Sequence, residues 1–185
     1  MKVAFDEVRR VAFRALDAGG AAPGCDEEGG WACAWLEAAG YPGLKMLVEA
    51  LEETPREKRR PALTAVYGIV DLDNVSCVFS GPALVDLARA EGRVVLNRVR
   101  HGLYALPFAV RAGLAIGCPV DPSFAIGGKR TGDLYGARIA AAIEAGIEVD
   151  DEVWRRANAY SRAILVPESE ASRLKGAGAG LTDND

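Results

Sequence analysis

The run Thr54-Pro-Arg-Glu-Lys-Arg-Arg-Pro61 constrains this chain more than any other stretch, because the pattern of the sequence changes across it. Before it, apolar residues recur at helical spacing. After it, β-branched and aromatic residues cluster in short runs separated by turn residues, which helices alone cannot use. The run itself is proline-bounded and charged, so it reads as a solvated connector that joins two differently patterned segments.

The first segment predicts three helices. Asp6 is placed to cap a helix carrying Val8, Val11, Ala12, Ala15 and Leu16 on one face and ending at Gly19-Gly20. Asp26 is placed to cap a second, with Trp31 and Trp35 on one face and Gly40 at its end. Pro42 opens a third, with Leu44, Leu47, Val48 and Leu51 inward. Three short helices cannot bury themselves alone and must pack on the remainder of the chain.

Beyond Pro61, Ala65–Val70 and Val75–Phe79 predict a hairpin joined at Asp71-Leu-Asp-Asn74. A short helix from Gly81-Pro82 to Ala90, a strand over Arg93–Arg100, a helix from Pro107 to Gly117 and a strand over Pro119–Ile126 come next. Two final helices are expected over Gly132–Ala145 and Asp150–Leu165, the last capped by Asp150. Regular strand–helix alternation is missing, so the expected class is α+β. The expected architecture has an N-terminal three-helix segment (1–53), a central mixed region with a small antiparallel sheet (62–126), C-terminal helices (132–165) and a glycine-rich tail (166–185), all in one domain of 185 residues. A chain of this length buries about 70% of its unfolded surface and needs no disulfide or metal to stay folded.

Composition excludes several functions. A net charge of −4 disfavours nonspecific nucleic-acid binding, which depends on clustered cations. Cys25, Cys33, Cys77 and Cys118 are scattered, and His101 is the sole histidine, so no zinc-type ligand set is expected. The cysteine usage reads as that of a reduced cytoplasmic protein, and Met1-Lys2-Val3 leads into a charged helix pattern rather than a signal peptide. Gly102–Val120 carries a single charge, Arg111, but Pro107 and Pro119 interrupt it, so a buried soluble segment is expected rather than a membrane span.

Two glycine motifs fail as nucleotide loops. In Gly127-Gly-Lys-Arg-Thr131 the position of the leading glycine is Ser123 and that of the closing hydroxyl is Arg130. Lys129 and Arg130 could still hold a carboxylate or phosphate, the alternative being a turn with solvated cations. In Gly176-Ala-Gly-Ala-Gly180 the third glycine of the dinucleotide fingerprint would fall at Leu181, and too few residues remain for a helix. His101, whose side chain titrates near neutrality, is the default acid/base candidate at a strand end.

The segments Phe5-Asp-Glu-Val8, Gly24–Leu36, Gly40-Tyr-Pro-Gly43, Leu106-Pro-Phe-Ala-Val-Arg-Ala112, Val166–Arg173 and Gly176–Asp185 together resemble an uncharacterised bacterial family, domain-of-unknown-function family 3726. They span essentially the whole chain. Pro23, Gly29-Gly30 and Glu168 depart from the pattern. The resemblance implies a compact bacterial cytoplasmic protein and supplies no reaction. It gives weight to an ordered tail.

Two functional expectations result. In the first, a small-molecule enzyme binds an anion through Ser169, Ser172 and Arg173, with Lys129 and Arg130 as further cations. Asp183, Asp185 or His101 then supplies the acid/base group, with the cofactor unassigned. In the second, a non-catalytic assembly subunit docks its glycine-rich tail on a partner or across a homodimer.

Overall fold

The computed structural model describes residues 1–163. The helical part is built as its periodicity predicts. Helices α1 (Phe5–Gly19), α2 (Cys25–Ala38) and α3 (Gly43–Glu53) pack together, and α1 buries Val8, Val11, Ala12, Ala15 and Leu16. Their close approach depends on two glycines. A Cβ on Gly30 would lie 2.8 Å from the Arg9 carbonyl, and one on Gly43 would lie 2.6 Å from that of Cys33. Neither backbone atom can move aside without shifting a helix.

The caps differ from the expected ones. Ala4 and Gly24 precede α1 and α2, while Asp6 bonds Arg9 and Asp26 accepts from the amides of Gly24 and Glu27. Pro42 precedes α3, and Glu37, from the preceding helix, accepts from the Leu44 amide at 2.7 Å. The Glu37 carboxyl is pushed up to about 7 by burial, against the opposing effect of the Leu44 and Gly43 amides.

The connector after α3 is not simply solvated. Arg59 folds back to donate to the carbonyls of Gly19 (2.6 Å), Leu51 (2.5 Å) and Thr54 (2.9 Å), with its guanidinium 5.7 Å from the centre of the Phe79 ring. Two of these carbonyls belong to the last turns of α1 and α3, where no intrahelical partner remains. A residue read as a surface charge ties two helix ends together.

The second segment forms a five-stranded mixed sheet in the order β2-β3-β4-β6-β5, from β2 (Ala65–Val66), β3 (Ile69–Asp71), β4 (Arg93–Asn97), β5 (Leu114–Ile116) and β6 (Phe124–Lys129). The fold is α+β, but the sheet is not purely antiparallel: β3 and β4 run parallel, joined through helix α4 (Gly81–Glu91). The hairpin turns at Tyr67-Gly68, and the second expected strand, Val75–Phe79, is instead a 3-10 turn over Cys77–Phe79 initiated by Ser76. The β propensity of this valine and phenylalanine run yields because the Ser76 hydroxyl accepts from the Val78 amide at 3.1 Å. Likewise α5 (Leu106–Arg111) stops early, and residues 114–116 turn into β5. The expected strand over Pro119–Ile126 begins late, at Phe124, because β6 pairs with β4 from Leu96–Phe124 to Arg93–Gly127.

Helix α6 (Gly136–Ala145) comes next, and a short strand β7 (Ile147–Glu148) pairs with an unforeseen β1 (Lys2–Val3). Helix α7 (Asp151–Arg162), capped by Asp150 as expected, packs on α1 and α3. Buried side chains from Val3 to Ala157 form one cluster. Among the described residues no helix is long and apolar enough to cross a membrane.

Candidate functional site

His101 sits where the parallel pair ends. Beyond β3 and β4 the two chains stay hydrogen-bonded while their register slips by two residues, from Asp71 opposite Asn97 to Ser76 opposite Arg100, through Leu72 N to Asn97 O (3.0 Å), Asn74 N to Arg98 O (2.8 Å) and Cys77 N to Arg100 O (2.9 Å). This extended ladder sets Ser76 opposite Arg100 and brings its hydroxyl to His101. Asp73, Asn74, Arg98 and His101 all have positive φ (48°, 61°, 49° and 55°) without being glycine. Four such residues at one edge cost conformational energy that the surrounding contacts must offset, a pattern found at functional sites.

The imidazole is held on both sides. Its Nδ1 lies 2.9 Å from the Ser76 hydroxyl, and its Nε2 lies 3.4 Å from the Glu49 carboxylate on α3. Its backbone amide and that of Gly102 both donate to the Asp121 carboxylate, at 3.0 and 2.9 Å. The side chain is 10% exposed. Burial, followed by the charge of Arg100, holds its pKa below the ordinary histidine value, while Glu49, Asp121 and Glu53 pull the other way. Arg100 is ion-paired with Glu53 and borders a polar cavity of about 270 Å³ that also touches Lys58, Asp73 and Asn74. Nearby, Arg98 grips Asp71 with Nε and Nη2 and Asp73 with Nη1, at 2.7–2.9 Å.

A serine, histidine and glutamate in a row suggest a nucleophilic triad. The geometry does not support one. Ser76 is 1% exposed, and its oxygen already serves the Val78 amide. Ser76 is a positioning residue for the imidazole.

Lys129 and Arg130 are not part of this cluster. The antiparallel register of β4 and β6 puts them at the opposite end of the sheet from His101. There Arg130 packs its guanidinium 5.3 Å from the centre of the Tyr135 ring, and Tyr135 meets the Tyr41 hydroxyl at 3.4 Å. Ser169, Ser172, Arg173, Asp183 and Asp185 lie outside the described residues. Sequence alone does not single out Glu49, Ser76 and Asp121 on one side, or Tyr41, Tyr135 and Arg138 on the other. No local motif marks them, because each reaches its cluster through the tertiary fold. Among the described residues, no three or more His, Cys, Asp or Glu side chains gather as a candidate metal site.

The model of a family described as a protein of unknown function, DUF3726, matches residues 3–92, about half of the chain. Over those residues the chain is similar to this family. The DUF3726 match takes in α1 through α4 and the hairpin, hence Glu49 and Ser76, and stops short of His101. It therefore does not extend to the Leu106–Ala112 and tail segments that had suggested coverage of the whole chain. No curated protein matches the sequence. One solved structure similar to this chain is malate dehydrogenase from Entamoeba histolytica, at 16% identity and a TM-score of 0.42. The likeness covers 63% of this chain and 37% of that one, so the chain spans little more than a third of the enzyme's length. At that level it carries no argument about function.

Proposed function

We propose that the protein is a bacterial cytoplasmic enzyme acting on a small anionic molecule, with His101 exchanging a proton at the carboxyl ends of β3 and β4. One observation carries this reading: a titratable imidazole is clamped between a buried hydroxyl and a carboxylate. The Ser76 hydroxyl can donate to Nδ1 or accept from it, while a proton on Nε2 is held toward the Glu49 carboxylate, which only accepts. With the pKa held below the ordinary histidine value, the neutral ring prevails at pH 7 and is suited to act as a base. Arg100 is the nearest cation for a substrate carboxylate or phosphate. Ser169, Ser172 and Arg173 remain candidate anion ligands, and Asp183 and Asp185 candidate carboxylates, by sequence alone.

The sole histidine makes the test direct. Its imidazole resonance is expected to titrate below the ordinary value of about 6.5 and to move when a small carboxylate or phosphate binds. A screen in which no such compound perturbs that resonance, or in which His101→Gln leaves turnover of an identified ligand intact, removes the reading.

Exposed apolar surface favours a second reading, an assembly subunit. Helix α6 buries none of its residues, and Tyr67, Leu134 and Ile143 are exposed by 100%, 79% and 58%. Light scattering of the full chain and of a form lacking residues 176–185 separates the two. A monomer in both cases excludes assembly through the tail.

A further inference from the structure

We propose that Arg130, Arg138, Tyr41 and Tyr135 form a binding site for a small oxyanion, at the end of the sheet remote from His101 and independent of its role. The argument is an excess of donors around two positive charges. Nη2 of Arg130 is buried and has no hydrogen-bond partner among the described residues. Buried polar atoms in native proteins are nearly always paired, so an orphan of this kind points to a missing water or ion.

The Asp133 carboxylate, which feels the Arg130 charge, does not fill the gap. Asp133 spends Oδ1 on the amides of Tyr135 and Gly136, both at 3.0 Å, at the start of α6. Arg138 donates Nη1 to the Ala39 carbonyl at 2.6 Å, and no partner is found among the described residues for its other nitrogens. The hydroxyls of Tyr41 and Tyr135 are 3.4 Å apart, so one proton serves the pair and the other is left to donate outward.

The Tyr135 hydroxyl has its pKa raised, chiefly by the Tyr41 hydrogen bond and then by burial, while the charges of Arg130 and Arg138 both reach it and pull the other way. The platform is also fixed. Trp35 meets the Tyr135 ring edge-on at 4.8 Å, and Arg130 lies over the same ring. Two forked cations and a phenol on a rigid aromatic support match the oxygens of a phosphate or carboxylate group, whichever molecule carries it.

The test titrates the full chain with inorganic phosphate and, separately, with malonate at constant ionic strength, read by calorimetry. Saturable one-to-one binding of either is expected, and the arm that binds identifies the class of oxyanion. Arg130→Gln should weaken it about tenfold or more, and Tyr135→Phe by a smaller factor, since charge-assisted bonds are the stronger. Should Arg130→Gln fail to fold, Tyr135→Phe and Tyr41→Phe, which keep the rings, decide the matter. Binding of neither anion to the wild type overturns the proposal. So does binding that survives Arg130→Gln or both phenylalanine variants, or that is lost in His101→Gln alone.

Discussion

Two arginines in this molecule are packed alike and partnered differently. Arg59 lies over Phe79 and Arg130 over Tyr135, at 5.7 and 5.3 Å from the ring centres. The first gives Nε, Nη1 and Nη2 each to a carbonyl, and so joins the ends of α1 and α3. The second keeps Nη2 buried without a partner among the described residues. An aromatic support positions a guanidinium in both corners, but only in the first does the fold itself supply the acceptors. The first corner is architecture; the second has the composition of a receptor.

If that contrast is right, substitutions should rank by how fully each group is satisfied. Arg59→Ala leaves two helix ends without their donor partner and should cost about 3 kcal/mol or more, measured by urea unfolding, because bonds to a charged donor are worth about 1.5–3 kcal/mol each. A loss below about 1 kcal/mol would break the comparison at its stronger end.

Glu37 is the intermediate case, a largely buried carboxyl stabilised by the Leu44 amide and, more weakly, by that of Gly43. Its folded pKa of about 7 lies above its ordinary 4.5, so the folded protein binds more protons than the unfolded chain between those values. The stability it contributes is fully present below about 4.5 and is lost as pH rises through about 7. Glu37→Gln keeps an oxygen for the Leu44 amide without the charge. It should be more stable than wild type by about 1–3 kcal/mol near pH 8, with the advantage shrinking on acidification. Parallel stability curves for the two proteins across this range would show that Glu37 does not titrate as its burial implies.

Arg130→Met should have the smallest effect. In the absence of anion it should change stability by less than about 1 kcal/mol in either direction, because a shape-matched apolar group removes an unsatisfied donor. A cost rivalling that of Arg59→Ala would mean that the orphan nitrogen is satisfied in solution by the protein itself, which would merge the two corners into one category.

The sequence made the helices legible and left the partnerships obscure, for a physical reason. Val8, Val11, Ala12, Ala15 and Leu16 announce α1 because a helix repeats within a few residues, and every one of them is buried. Val75–Phe79 misled because propensity records the side chains and not the Ser76 hydroxyl that closes the 3-10 turn. The parallel pairing of β3 and β4 depends on α4 crossing between them, which the separate segments do not reveal. His101 stood out as the lone group titrating near neutrality. Its clamp did not, since Ser76 is 25 residues before it and Asp121 is 20 after. Sequence reads Arg130 as a candidate anion ligand and Arg59 as a solvated charge, without foreseeing that the fold satisfies Arg59. Both are cations in charged, turn-rich stretches, and only the fold decides which carbonyls come within reach.

The pairing of β1 with β7, and of α1 with α7, has a consequence for how the chain comes to be folded. Helix α1 packs against α7, which leaves the ribosome more than a hundred residues after it. At roughly 5–20 residues per second, the face of α1 that α7 covers waits on the order of ten seconds for its partner. During synthesis that face is an exposed apolar stripe, so the newborn chain is prone to aggregate, and in need of a chaperone, until α7 emerges.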